Sequence, residues 1–455
     1  MPHRDLRWGF FLYFFLISLI QFQAHYMNIS EIYTLFKKFP HVVTDSRNVV
    51  ADSLFFALKG ESFNGNKFAL DTLEKGCRYA IVDEKSYAID DRFILVDDVL
   101  TCLQDLAREH RRTLGIPILA ITGTNGKTTT KELLNEVLKQ KFKTSATQGN
   151  FNNHIGVPLT LLAMNAETEF GIVEMGANHP GEIKMLCEIA EPNYGLITNV
   201  GKAHLEGFGS FEGVKKTKKE LYDYLAQNGG EVFINCENEH LMGMLNQQKT
   251  ILYGNSEEAF SKARFLQAEP KLIIELRSPI GKLYIKTQLI GAYNFENVLA
   301  AVTLGRYFKI DEIDIKEALE SYTPSNNRSQ LLKTDDNVLF LDAYNANPTS
   351  MRAAIDNFAA MKMKNKVLIL GDMLELGEES EKEHLHVLDL LKEKELSNTI
   401  LVGNIFSSLA SDYKYDAFKS VEDLLVYLEK SVLKNKYILI KGSRGIKLEK
   451  TIEKL

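Results

Sequence analysis

The chain has 455 residues, of which 45% are hydrophobic and 25% charged, and its formal net charge is −6. That length exceeds what one hydrophobic core supports, so two or three domains are expected. The acidic balance excludes a general nucleic-acid-binding protein, which needs a basic surface. The four cysteines form no CxxC pair, which argues against a zinc site or a disulfide framework and favours a reducing cytosol.

The N-terminal 26 residues stand apart from the rest. Two arginines precede an apolar run over residues 9–20, a pattern that resembles a signal peptide and is short for a membrane span. A third interpretation is a start at Met27, because the residues after it open like an ordinary helix with Ser30 as its cap. The sequence therefore predicts a leader or a misassigned start over residues 1–26.

Over residues 27–110, short apolar runs alternate with segments rich in turn-forming residues. This pattern predicts a small α/β domain. A continuous apolar run at 117–122 then predicts a buried strand of a parallel sheet, and helical spacing follows over 129–140. Further buried strands are predicted at residues 171–174, 195–198 and 231–235. Strands that alternate with helices predict a doubly wound parallel sheet in a domain spanning residues 111–323.

Residues 324–455 repeat this alternation and predict a third, Rossmann-like α/β domain. Its strands are predicted at residues 338–341, 366–370, 399–402 and 437–440.

The strongest chemical signal is Thr122-Gly-Thr-Asn-Gly-Lys-Thr-Thr129, between a predicted strand and a predicted helix. Glycines let backbone N–H groups face phosphate oxygens, and the helix adds its positive N-terminal dipole. Lys127 is predicted to reach the terminal phosphates of ATP, and Thr128 to hold Mg²⁺. The loop departs from the common P-loop, because Ile121 stands where the first glycine is expected. A glycine-rich turn without a ligand is the alternative, which the order of strand, loop and helix disfavours.

Polar side chains also follow other predicted strands, where ligands bind in open α/β sheets. Glu174 is a candidate metal ligand or an ordinary strand-end carboxylate, and His204 is a candidate metal ligand or a solvated loop histidine. Asn294 and Asn297 offer amides suited to an adenine edge, with helix capping by Asn294 as the alternative.

In the last domain, Asp342, Asp372 and the segment 441–445 each end a predicted strand. Together they predict a polar rim that faces the ATP site, on which Arg444 is a candidate clamp for a carboxylate. Each is also compatible with a turn that carries a surface charge. The lysine-rich stretch 215–220 is typical of a solvated helix face, in which spacing singles out no lysine.

Taken in chain order, six motifs resemble the Mur ligase family. Within that family the motifs are most similar to the branch that joins D-alanyl-D-alanine to UDP-N-acetylmuramoyl-tripeptide. The resemblance starts at Met27 and leaves residues 1–26 unmatched. The motifs span residues 123–129, 149–158, 173–178, 203–209, 342–347 and 371–377.

The resemblance implies that residues 27–110 bind the UDP end of the substrate, residues 111–323 bind ATP, and residues 324–455 close over the site. The implied activity is an ADP-forming amide-bond ligase that works through an acyl phosphate in peptidoglycan precursor synthesis. ATP and two Mg²⁺ ions are the implied cofactors. A cytoplasmic monomer is implied, without nucleic acid and without stable membrane association.

The resemblance also assigns roles to individual residues. Lys218, four residues before Tyr222, is implied to be carbamylated, with adjacent Lys219 as the alternative. The implied catalytic residues are Lys127, Glu174, His204 and Lys218. The implied metal ligands are Thr128, Glu174, His204 and Lys218. The implied ATP contacts are Gly123, Thr124, Asn125, Gly126, Lys127, Thr128, Thr129, Asn294, Arg328 and Asp342. The substrate contacts are Ser46, Arg47, Asn152, Asn153 and Arg444.

Three alternatives to this activity remain. Another ligase of the superfamily would add a different amino acid or extend folate with glutamate, which the motifs at 342–347 and 371–377 disfavour. A P-loop kinase or nucleotide switch would transfer or hydrolyse phosphate without ligation. A catalytically dead binding module is disfavoured because its predicted site residues are intact, namely Lys127, Thr128, Glu174 and His204.

Overall fold

The computed structural model describes residues 25–279 and 281–455, so the predicted leader lies outside the described residues except for its last two positions. The described chain separates into two compact units. The first comprises the chain up to Gly115 together with Leu161–Asn165, and the second comprises Ile116–Thr160 and Ala166–Leu455. Over the described ranges, every helix is too short or too polar to cross a bilayer.

The first unit is built on a parallel sheet with strand order β1-β7-β6-β3-β2, beside an antiparallel β4–β5 pair. The strand β1 lies ahead of Met27 and pairs with β7. Its strands are β1 His25–Tyr26, β2 Val42–Val43, β3 Leu54–Phe56, β4 Lys59–Gly60, β5 Phe63–Asn64, β6 Tyr79–Val82 and β7 Phe93–Leu95. Its helices are α1 Ile29–Lys38, α2 Ala69–Glu74 and α3 Val99–Leu114.

The first helix is capped two residues earlier than predicted. Asn28 is the N-cap, since its side chain accepts from the Glu31 amide at 3.1 Å while the Glu31 carboxylate accepts from the Asn28 amide at 2.8 Å. This reciprocal pair satisfies two amides that a helix start leaves without partners. The prediction that Ser30 caps this helix is therefore wrong, because Ser30 lies within α1.

A buried histidine ties α3 to the rest of the first unit. The His110 ring donates from Nε2 to the Met164 carbonyl at 2.8 Å, and its Nδ1 lies 3.3 Å from the Tyr33 hydroxyl. Burial lowers the pKa of His110, and the bond to Met164 offsets only part of that effect. The neutral ring is therefore the form that fits this packing.

Acid is expected to weaken the first unit through His110. Because the folded-state pKa lies below the unfolded value of about 6.5, the unfolded chain binds the proton more readily, and stability falls as pH drops below about 6.5. Replacement by His110→Gln should flatten this loss of thermal stability between about pH 7.5 and about pH 5.5. Calorimetry measures it, with the exposed His41→Gln as control, and an unchanged pH dependence in His110→Gln would contradict the assignment.

The second unit contains a parallel six-stranded sheet with order β13-β12-β11-β8-β10-β9. The predicted strands of this region are confirmed to within about a residue, and the order places β8 centrally between β11 and β10. The strands are β8 Ile118–Thr122, β9 Thr144–Ala146, β10 Phe170–Glu174, β11 Tyr194–Ile197, β12 Glu231–Asn235 and β13 Lys249–Tyr253. The helices are α4 Lys127–Leu138, α5 Gly156–Leu162, α6 Glu182–Ala190, α7 Leu205–Phe208, α8 Phe211–Gln227, α9 Glu239–Met242, α10 Phe295–Tyr307 and α11 Glu312–Ser321.

A three-stranded antiparallel sheet follows, which the sequence analysis did not predict. It has the order β14-β15-β16, with β14 Ala263–Ala268, β15 Leu272–Ser278 and β16 Gly281–Lys286. Its outer strands β14 and β16 are largely exposed, so they lack the continuous apolar runs of the parallel sheets.

A second six-stranded sheet lies in the same unit, with order β17-β18-β22-β19-β20-β21. Every pairing in it is parallel except that of β17 with β18. The strands are β17 Gln330–Lys333, β18 Val338–Asp342, β19 Lys366–Gly371, β20 Thr399–Val402, β21 Asp416–Phe418 and β22 Tyr437–Lys441. The helices are α12 Pro348–Ala360, α13 Ser380–Glu393, α14 Asn404–Leu409 and α15 Val421–Lys430.

Helices cover both faces of this sheet, which explains its apolar strands. One cluster of buried side chains packs α12, α13 and α14 on one face, and a second packs α15 on the other. Strands buried on both faces need apolar residues at successive positions. The α/β fold class is confirmed, whereas the division at residues 26, 110 and 323 stays a prediction, with α3 running past residue 110.

Candidate active site

The glycine-rich loop joins β8 to α4, as predicted. Gly123 has φ +142° and Gly126 has φ +80°, conformations that side chains rarely adopt. A Cβ at Gly123 would lie 2.0 Å from Thr198 Oγ1, and one at Gly126 would lie 2.8 Å from Asn297 Oδ1. Both positions therefore require glycine for conformation and for space.

Thr198 and Asn199, which directly follow β11, hold this loop in place through hydrogen bonds. The Asn199 carbonyl accepts from the Thr124 amide at 2.9 Å, and Asn199 Oδ1 accepts from the Asn125 amide at 3.0 Å. Thr198 Oγ1 donates to the Asn125 carbonyl at 2.6 Å. Since the first amides of a helix have no intrahelical acceptor, those that follow Gly126 are the ones suited to an anion. Asn199 was not predicted as a site residue, although it directly follows a predicted strand.

Lys127 folds back over the loop. Its Nζ donates to the Gly123 carbonyl at 2.8 Å and to the Thr124 carbonyl at 3.2 Å. Burial lowers the pKa of Lys127, the Glu174 charge opposes that shift, and Arg328 adds to it. The Lys127 side chain thus lies over the loop and within the electrostatic influence of Glu174 and Arg328, where phosphate charge would be attracted.

Glu174 ends β10 as a buried carboxylate with one unsatisfied oxygen. Its Oε1 accepts from Asn152 Nδ2 at 2.8 Å, whereas Oε2 has no hydrogen-bond partner in the described chain. The Glu174 amide donates to Thr147 Oγ1 at 2.9 Å, which fixes the end of the strand. A buried anionic oxygen without a partner is costly, so a cation is the complement that fits it. Asn152, predicted to contact substrate, thus also holds the Glu174 carboxylate in place.

His204 pairs with an acidic residue of the segment that follows β19. Its backbone is left-handed with φ +49°, and Nδ1 lies 2.6 Å from Glu375 Oε2. The hydrogen bond from His204 lowers the pKa of Glu375. Across residues 25–279 and 281–455, no three His, Cys, Asp or Glu side chains cluster as a metal site. Mg²⁺ commonly needs only one or two carboxylates besides phosphate and water ligands, so Glu174 alone remains compatible with it.

The two neighbouring lysines of α8 have opposite environments. Lys218 is buried with its Nζ 5.6 Å from the centre of the Phe208 ring, and Lys219 pairs with Asp223 near the surface. Burial first, and then the charge of Lys127, lower the pKa of Lys218 to about 7. Lys218 is therefore the lysine whose amine is readily neutral near physiological pH.

Strand ends of the second six-stranded sheet carry a buried ion pair. Asp342 Oδ2 accepts from Lys441 Nζ at 2.6 Å, and Lys441 also donates to the Asn345 carbonyl at 3.3 Å. Asp342 Oδ1 accepts from the Ser329 amide at 3.4 Å. Lys441 was not predicted as a site residue, although its place at a strand end was noted.

Two predicted arginines stack on one tyrosine. The Arg328 guanidinium lies 3.5 Å from the centre of the Tyr344 ring, and the Arg444 guanidinium lies 5.3 Å from it. Arg444 also donates to the Tyr344 hydroxyl at 3.3 Å. The Tyr344 ring thus contacts both cations and helps to orient them.

Other predicted groups already have protein partners. Asn294 donates to the Ile290 carbonyl at 2.8 Å and to Ser329 Oγ at 2.9 Å, and it accepts from Asn297 at 2.8 Å. Its amide is therefore occupied, and it does not cap α10 with its side chain. Asn153 Oδ1 likewise accepts from the Ile155 and Gly156 amides, at 3.2 and 2.9 Å, at the start of α5.

The prediction that Asp372 faces the ATP site is wrong. Its carboxylate accepts from the amides of Ile405 and Phe406, both at 2.9 Å, at the start of α14. It is buried there beside His384. A strand-end acid can serve the first turn of the next helix as well as a ligand.

In the first unit, the predicted substrate contacts Ser46 and Arg47 lie in a turn. Arg47 is largely exposed, and its guanidinium pairs with Asp45 at 2.7 Å. Its hydrogen bond lowers the pKa of Asp45 to about 2. The Ser46 carbonyl accepts from Lys75 at 3.1 Å.

Within the second unit, a cleft of about 730 Å³ brings most of the predicted residues together. Asn125 and Asn347 meet across it, since Asn347 Nδ2 donates to Asn125 Oδ1 at 2.7 Å. Gly123, Lys218 and Arg444 are not among its lining residues. The predicted residues that line it are Thr124, Asn125, Gly126, Lys127, Thr128, Thr129, Asn152, Asn153, Glu174, His204, Asn294, Arg328 and Asp342.

Comparison with known families matches two regions of the second unit. The Mur ligase middle domain matches residues 121–305, and the Mur ligase glutamate ligase domain matches residues 327–444. The UDP-N-acetylmuramoyl-tripeptide–D-alanyl-D-alanine ligase of Bacillus subtilis is 34% identical over 430 residues, which cover 91% of this chain and 92% of that protein.

Solved structures agree with these matches. MurF from Acinetobacter baumannii is similar with a TM-score of 0.82 and 29% identity, covering 91% of this chain and 92% of its own. MurF ligase from Thermotoga maritima, solved in complex with ADP, is similar with a TM-score of 0.79 and 27% identity, covering 91% and 96%.

Proposed function

The chain belongs to the Mur ligase family, and we propose that it joins D-alanyl-D-alanine to UDP-N-acetylmuramoyl-tripeptide while ATP is converted to ADP and phosphate. One observation carries the proposal. The cleft brings together Lys127 at the start of α4, Glu174 at the end of β10, Asp342 at the end of β18 and Arg328 from the segment before β17. A cleft lined by these cationic and polar groups is suited to bind a nucleotide together with the two substrates that are joined.

The chemistry requires activation of a carboxylate. A tripeptide carboxylate oxygen attacks the γ-phosphorus of ATP, ADP leaves, and an acyl phosphate forms. The amine of D-alanyl-D-alanine then attacks the acyl carbon, loses a proton, and expels phosphate. Lys127 would neutralise charge on the transferring phosphoryl group, with the amides at the start of α4 binding its oxygens. Enclosure of the cleft would keep water from the acyl phosphate.

Mg²⁺ fits the residues of this site, because Glu174 Oε2 is buried without a hydrogen-bond partner in the described chain and Thr128 also lines the cleft. When bound, Mg²⁺ supplies Lewis-acid stabilisation of phosphoryl charge. Thr128, Glu174, His204 and Lys218 are the residues we assign to two such ions. Asn152 would hold the Glu174 carboxylate in place through its 2.8 Å hydrogen bond.

We also assign the carbamylated position to Lys218 rather than Lys219. A neutral amine attacks CO₂ and loses a proton, which gives an anionic carbamate, and a pKa of about 7 leaves much of the Lys218 amine neutral at physiological pH. Lys219 instead pairs with Asp223 near the surface, outside the buried environment of Lys218.

The remaining assignments follow the family. Asp342 and Arg328 would contact the nucleotide, whereas Asn294 would shape the site through its bonds to Ile290 and Ser329. Ser46, Arg47, Asn152, Asn153 and Arg444 are assigned to the substrates. The first domain, at residues 27–110, would bind the UDP end. The domain at 111–323 would bind ATP, and the domain at 324–455 would close the site.

We place this reaction in the cytoplasm, where ATP and nucleotide-linked precursors occur. A monomer is proposed, without stable membrane association. The net charge of −6 supports the absence of a nucleic-acid partner.

Phosphate release tests the proposed function. Purified protein with ATP and Mg²⁺ is expected to release phosphate only when both UDP-N-acetylmuramoyl-tripeptide and D-alanyl-D-alanine are present. Mass spectrometry should then detect the pentapeptide product. Release that needs neither substrate would favour a nucleotide switch or kinase and would overturn the ligase assignment.

A further inference from the structure

The segment 322–329 joins α11 to β17 and carries Arg328 into the cleft. On either side of Arg328 the backbone is left-handed, with φ +57° at Asn327 and +48° at Ser329. Residues other than glycine rarely adopt this conformation, and it persists only where the surroundings impose it. The place of Arg328 therefore depends on what holds the segment at its two ends.

The C-terminal end of the segment is held by the floor of the cleft. Ser329 is buried, its Oγ accepts from Asn294 at 2.9 Å, and its carbonyl accepts from the Ile290 amide at 3.3 Å. Its amide donates to Asp342 at 3.4 Å. These contacts fix Ser329, the residue after Arg328. The residues before Arg328 must be held by other contacts.

Those contacts come from Glu132, on the helix that begins at Lys127. One carboxylate oxygen of Glu132 accepts from the Tyr322 hydroxyl, and the other accepts from Asn326 Nδ2 at 2.9 Å. Burial, together with the Glu132 charge, raises the pKa of Tyr322, so its hydroxyl remains a donor. The other end of the Asn326 amide, Oδ1, is buried without a partner in the described chain, so Glu132 is what orients this side chain.

We propose that Glu132 is a positioning residue of the ligase reaction. Through Tyr322 and Asn326 it ties segment 322–329 to α4, so that Arg328 and Lys127 meet the nucleotide phosphates in a fixed relation. Glu132 is not among the residues that line the cleft, so it acts through Arg328 and not on the ligand. This inference rests on the proposed function. Small displacements of a charged group weaken transition-state stabilisation strongly, which gives an indirect anchor a measurable effect.

The test compares Glu132→Ala and Glu132→Gln with a control, Glu136→Gln, one turn further along α4. Glu136 pairs with Lys139, the residue after α4, and makes no hydrogen bond to segment 322–329 in the described chain. We expect Glu132→Ala to lower kcat/KM for ATP about tenfold. Glu132→Gln should lower it about threefold, because it keeps one acceptor oxygen, and Glu136→Gln should change neither kcat nor KM.

A double-mutant cycle separates positioning from a general loss of stability. In an Arg328→Ala background, Glu132→Ala should cause no further loss of kcat/KM, whereas a purely structural role would give independent, additive losses. Thermal unfolding of each variant shows whether stability changed. Additive effects in the cycle, or an unchanged kcat/KM in Glu132→Ala, would overturn the proposal.

Binding of a non-hydrolysable ATP analogue provides a readout that does not need ligation. Calorimetry should show weaker binding by Glu132→Ala, about tenfold, and no such change once Arg328 is absent. If the unaltered protein bound the analogue but failed to ligate, the proposed function would fail, and this cycle would still decide the role of Glu132. Equal affinity in Glu132→Ala and the unaltered protein would refute the anchor.

Discussion

Replacement of Lys127 by alanine is expected to reduce phosphate release in the complete reaction by about 10³-fold. The Lys127 ammonium lies over the loop that ends at Gly126, within hydrogen-bond distance of the Gly123 and Thr124 carbonyls. The transferring phosphoryl group gains charge on its outer oxygens, and a buried cation stabilises that charge more than an exposed one would. Alanine removes the cation without filling its place.

Lys139→Ala is the matched control for this prediction. Lys139 follows α4, is substantially exposed, and pairs with Glu136 on the surface. Its removal should leave the rate within about twofold. Rates are compared at saturating ATP and substrates, with thermal unfolding to verify that both variants fold. A Lys127→Ala rate within about tenfold of the unaltered protein would exclude a central role for this lysine.

The parallel sheets were predictable because burial on both faces demands apolar residues throughout a strand. Apolar runs such as Ile118–Thr122 and Tyr437–Lys441 can therefore be recognised directly in the sequence. Edge strands and half-exposed strands cannot, since their exposed positions accept polar residues. For this reason Asp416–Phe418 and the antiparallel sheet of Ala263–Lys286 were not predicted.

The glycine loop was predictable for a different reason. Phosphate binding restricts the residue types at several adjacent positions of the loop. The segment Gly123–Thr129 can therefore be recognised from the sequence alone. The partner of a single polar side chain is decided by tertiary structure. Asp372 and Asn294 look alike from the sequence as free cleft groups, yet one binds the amides of α14 and the other binds Ile290 and Ser329.

Although the lysine-rich stretch by itself singles out neither residue, the apolar spacing of α8 distinguishes Lys218 from Lys219. Val214, Leu221, Tyr222 and Leu225 recur at helical spacing and form the buried stripe of α8. Lys218 lies on that stripe, four residues after Val214 and three before Leu221, whereas Lys219 lies beside it. A buried lysine within an apolar stripe is rare enough to mark a functional position.

Lys218→Ala is therefore expected to lower phosphate release by about 10²- to 10³-fold. Without the side chain, no carbamate can supply its anionic oxygens, and the buried space beneath Phe208 is left empty. Short carboxylates such as acetate or formate are expected to restore part of the activity, because they bring an equivalent anion into that space.

Lys219→Ala serves as the control, since that lysine differs by one position and pairs with Asp223 instead of facing the interior. It should keep nearly the full rate and respond to no carboxylate. Carbon-13 NMR after equilibration with labelled CO₂ should show a carbamate resonance in the unaltered protein and in Lys219→Ala, and none in Lys218→Ala. Full activity of Lys218→Ala without added carboxylate, or a carbamate resonance that disappears only in Lys219→Ala, would show that burial in α8 does not select the modified lysine.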